Sequence, residues 1–98
     1  MMDALDILKA GRAKITNPKD WGKGPRPERL RFESCCAAEA IEELDHSFDR
    51  EYSRAILALR NAAGLDNNFG IPKWNDAPER THAEVLAAFD LAIATLRL

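Results

Sequence analysis

The stretch Thr81-His82-Ala83-Glu84-Val85-Leu86-Ala87-Ala88-Phe89-Asp90-Leu91-Ala92-Ile93 decides the fold class. Thr81 and Glu84 have the spacing of a capping box, in which the hydroxyl accepts from the Glu84 amide and the carboxylate reaches back. Val85, Leu86, Phe89, Ala92, Ile93 and Leu96 then recur at three and four, a broad apolar stripe that requires a partner surface. Upstream, the same period runs from Phe48 to Ala63 through Tyr52, Ala55, Ile56 and Leu59. Ser47 or Asp49 is the cap there, and Gly64 supplies the left-handed position that ends many helices. Cys36, Ala37, Ala40, Ile41 and Leu44 predict a further helix over roughly Glu33 to Leu44, with Glu39, Glu42 and Glu43 outside. The break at Asp45-His46-Ser47 is weak, so these two helices also read as one long bent helix.

The first helix runs from Asp3, its N-cap, to about Ile15, with Leu5, Leu8, Arg12 and Ile15 along one stripe. Thr16-Asn17-Pro18 stops it, because a residue before proline is pushed out of the helical region. Gly11 weakens it by about 1 kcal/mol relative to alanine, which predicts a close backbone approach to a neighbour. Residues 17–31 read as an irregular arm broken by Pro18, Gly22, Gly24, Pro25 and Pro27, with Trp21 tucked over a core edge. Residues 65–80 read as a second irregular stretch, packed through Leu65, Phe69, Ile71 and Trp74. No segment alternates with a strand's period. The expectation is an all-α fold, a single domain over 1–98, built as a bundle of three to four helices with two irregular packed loops.

Composition fits that reading: 98 residues, 46% apolar and 31% charged, suffice for one core. No apolar run approaches the ~18 residues of a membrane span. Acids in Met1-Met2-Asp3-Ala4-Leu5-Asp6 argue against an export signal. Cys35 and Cys36 are adjacent with no third cysteine, so free thiols and a cytoplasmic location are expected. Charge is segregated along the chain. From Lys9 to Arg31 eight bases face two acids, a balance of +6, and from Glu33 to Glu51 seven acids face one base, a balance of −6. These segments either compensate one another within the fold or form partner surfaces.

The residues that could carry chemistry are few. Cys35, Cys36, His46 and His82 are a poor zinc set, because adjacent helical cysteines point about 100° apart. Cys36, His82 and Asn75 or Asp76 are the residue types of a thiol nucleophile with its base, but nothing in the spacing unites them. Trp21-Gly22-Lys23-Gly24-Pro25 lacks the flanking strand and helix of a phosphate loop. The densest polar constellation is Trp74-Asn75-Asp76-Ala77-Pro78-Glu79-Arg80-Thr81-His82. It reads either as a helix-capping corner or as a binding notch where Arg80 and His82 flank a helix N-terminus.

That same run, with Phe89-Asp90 and Ala92-Ile93 beyond it, resembles the C-terminal signature of a family of small uncharacterised proteins of bacteria and their phages. Ile15, Pro18, Trp21 and Gly24, followed by Cys36-Ala37, are similar to its N-terminal half, although Glu39 stands where that pattern has glycine. The resemblance implies no activity, cofactor or catalytic residue, and its phage distribution implies a small accessory protein. The expectation is therefore a non-enzymatic helical adaptor, an accessory or anti-defence protein, docking on a protein partner. Glu39 and Glu43 would form its outward acidic row for a basic partner; the basic arm would contact nucleic acid only weakly in a chain of net −2, and a homo-oligomer is a further expectation. The alternative is a small-ligand binder or minor hydrolase around Trp74, Asp76 and His82, with Asn75 and Arg80 beside them. No cofactor and no metal is expected.

Overall fold

The computed structural model describes residues 2–44, 50–65 and 70–97. Five α-helices lie within them: α1 Ala4–Lys14, α2 Ala37–Glu42, α3 Arg50–Ala62, α4 Gly70–Asp76 and α5 His82–Leu96. No strand is present among these residues, so the all-α expectation holds, with more helices than the three to four expected. α1, α3 and α5 pack on one another, and α2 lies between α1 and α4. Phe89, Leu8, Ile41, Leu59 and Val85 fill the centre. Gly11 is a real close approach: a Cβ there would come 3.2 Å from Ile41 Cγ1 and 3.3 Å from Phe89 Cε1. The inner face of α1 is Ala4, Ile7, Leu8 and Gly11, while Arg12 lies to its side and bonds Asp90 at 2.5 Å.

Local signals set three helix ends. Asp3 caps α1 through the Asp6 amide, and Gly64 takes φ +76° just past α3. Thr81 Oγ1 accepts from the Glu84 amide at 3.2 Å, and Glu84 Oε1 accepts from the Thr81 amide at 2.8 Å. Thr81→Ala should lower stability by about 1 kcal/mol, read from the denaturation midpoint; no change would mean water replaces the cap.

Two expectations are corrected. Residues 33–36 are not helical, because the chain beside them is held extended against the arm. Cys35 N donates to Asp20 O at 2.8 Å and Gly22 N to Cys35 O at 3.0 Å, an isolated parallel bridge between Trp21 and Cys35. Cys36 is consequently the N-cap of α2 rather than a residue within it. The stretch after Gly64 is also not wholly irregular, since Gly70–Asp76 forms α4. Pro72 is accommodated because it sits in the first turn, where amides lack intrahelical acceptors. The arm itself holds two 3-10 turns, Pro18–Asp20 and Arg26–Glu28. The caps proposed at Ser47 and Asp49, and the question of one bent helix, lie outside the described residues.

Candidate functional site

α4 delivers Asn75 into the interior, where it is fully buried. A buried amide must satisfy two acceptor and two donor sites, and this one does. Asn75 Oδ1 accepts from Trp21 Nε1 at 2.7 Å and from the Ala37 amide at 2.9 Å. Asn75 Nδ2 donates to Gly22 O at 3.1 Å and to Asp76 Oδ1 at 3.0 Å. One side chain therefore joins the arm, the start of α2 and the end of α4. Asp76 Oδ1 accepts a further bond from the Gly24 amide at 3.0 Å. Lys23 Nζ crosses back to Ala77 O at 2.7 Å, 5.6 Å from the Trp21 ring.

Arg80 and His82 also bond other parts of the chain, while Glu79 and Thr81 are exposed. His82 Nε2 lies 2.6 Å from Ile15 O, and since a carbonyl only accepts, that nitrogen carries the proton. The imidazole sits 5.8 Å from the Trp21 ring. Arg80 stacks 4.7 Å over the Trp74 ring, its Nε donates to Trp74 O at 3.0 Å, and its guanidinium lies 3.6 Å from Glu84. Arg80 is thus held against Trp74, Asp76 against Asn75 and the arm, and His82 against Trp21 and Ile15. Arg80 and His82 stand at the N-terminal end of α5, Arg80 beside Glu84 and over Trp74, His82 against Ile15 O.

Glu43 is exposed and Glu39 half-buried, and both carboxylates are already paired within the fold. Glu39 Oε1 accepts from the Cys36 amide at 2.9 Å and lies 2.8 Å from the Arg29 guanidinium, whose side chain is only 5% exposed. Arg26 lies 3.5 Å from Glu39 Oε2 and bonds Glu43, and Lys14 reaches Glu43 at 3.6 Å. The basic arm and the acidic helix compensate each other directly. Burial alone would push the Glu39 carboxyl up, but the Cys36 amide and the Arg29 and Arg26 guanidinium groups hold it below the usual carboxylate range.

Both thiols are buried. Burial pushes the Cys36 thiol up to about 11, and burial followed by the Glu43 charge raises Cys35. Neither is an activated nucleophile. Native protein near pH 7.5 should label with a thiol reagent at least about 100-fold more slowly than denatured protein; fast labelling of either cysteine would contradict this packing. Among the described residues no cluster of three His, Cys, Asp or Glu side chains could hold a metal ion. None of the described helices is long and apolar enough to cross a membrane.

What the sequence reading missed is the tip of the arm. Leu30 is fully exposed and Phe32 is 62% exposed, on either side of Arg31, which bonds Asp20 at 3.2 Å. Beside them a cleft of about 290 Å³ is lined by Trp21, Lys19, Lys23, Arg29 and Arg31. The available signal was the run Leu30-Arg31-Phe32, whose apolar residues belong to no periodic stripe.

The model of a family of unknown function (DUF6197) matches residues 1–95. No curated protein and no solved structure matches the chain.

Proposed function

The chain belongs to this family of unknown function, and we propose that it is a non-enzymatic binding protein docking on a protein partner through Leu30-Arg31-Phe32. The observation that carries this reading is the exposure of Leu30 and Phe32 on an arm held from both sides. Trp21 is tied to Asn75 at one end and Arg29 to Glu39 at the other. A loop fixed by a rigid scaffold is a common place for recognition residues. A large apolar pair around an arginine is the composition of interface anchors. The partner surface that fits is an apolar seat with acidic groups at its rim, opposite Lys19 and the half-exposed Arg31. Nucleic acid is the weaker fit, because Arg26 and Arg29 are spent on Glu39 and Glu43 and the chain carries a net −2.

This site replaces the acidic row as the favoured surface, since Glu39 and Glu43 are engaged within the fold. It is favoured over a ligand pocket because Asp76 Oδ1, His82 Nε2 and the whole Asn75 amide bond other parts of the chain. An accessory or anti-defence protein of a phage would act this way, by covering a working surface of its target.

The test is quantitative affinity capture from the native host with wild type and a Leu30→Ser, Phe32→Ser double variant as baits. Both substituted side chains are exposed, so the melting temperature should stay within a degree or two. A partner retained by wild type should fall at least about tenfold with the variant. Equal recovery with both baits would move the docking surface elsewhere.

A further inference from the structure

We draw no further inference here: the strongest candidate, the exposed apolar face of α3 and α5 around Leu57 and Leu91, has its flanking Arg54 and Glu84 already paired with Glu51 and Arg80, and nothing in the structure shows what covers it.

Discussion

Asn75→Leu is expected to cost about 3–5 kcal/mol, a large part of the 5–15 kcal/mol that holds a domain of this size together. The replacement nearly preserves volume, so the loss isolates the hydrogen bonds rather than a cavity. It strands Trp21 Nε1, the Ala37 amide and Gly22 O, each of which costs about 1–3 kcal/mol when buried without a partner. Urea denaturation gives the value, and Trp21 fluorescence reports whether the arm leaves first. A loss below about 1 kcal/mol would mean that water or neighbouring groups satisfy all three.

Glu39→Ala ranks next, at about 3 kcal/mol. It removes the carboxylate that caps the Cys36 amide and leaves the nearly buried Arg29 guanidinium without its counter-ion. Glu39→Gln should keep the cap and lose only the charge, falling between wild type and alanine. The pH dependence follows from the lowered Glu39 pKa. A carboxyl that titrates lower in the folded chain than in the unfolded one stabilises fully above the ordinary value of about 4.3. That stabilisation is lost as pH falls through the folded pKa. Acid unfolding of wild type below about pH 4.5 should thus be steeper than that of Glu39→Gln. Parallel pH profiles would remove Glu39 from the acid transition.

The parts of this fold legible in the sequence are those whose causes lie within a few residues. Thr81 and Glu84 are three apart, Gly64 follows its own helix, and the period of α5 needs no distant partner. Gly11 was legible for a related reason, since a glycine inside a helix requires a neighbour even when its identity is unknown. What escaped depends on contacts far apart in sequence. Cys36 became an N-cap because Asp20 and Gly22 hold the preceding residue extended and Asn75, 38 positions on, takes the Ala37 amide. The opposite balances of the arm and the acidic segment were visible, but not which residues would meet. Glu39 read as an outer position of a helix starting at Glu33; with the helix starting at Ala37, it became the residue that closes the cap. The polar run from Trp74 to His82 was correctly singled out as dense. Its alternatives could be weighed only once Trp21 was seen to lie over Asn75.

This polar corner is a lock that holds the arm in place, and indole hydrogen exchange of Trp21 reads the lock itself. The resonance is assigned by comparison with Trp74→Phe. If Trp21 Nε1 is bound to the buried Asn75 as described, the indole proton exchanges only when the domain opens. Its protection should then approach that of the slowest core amides, with an opening free energy of several kcal/mol. Exchange near the rate of a free indole would show that the arm is not locked, and the account of the docking tip would fall with it.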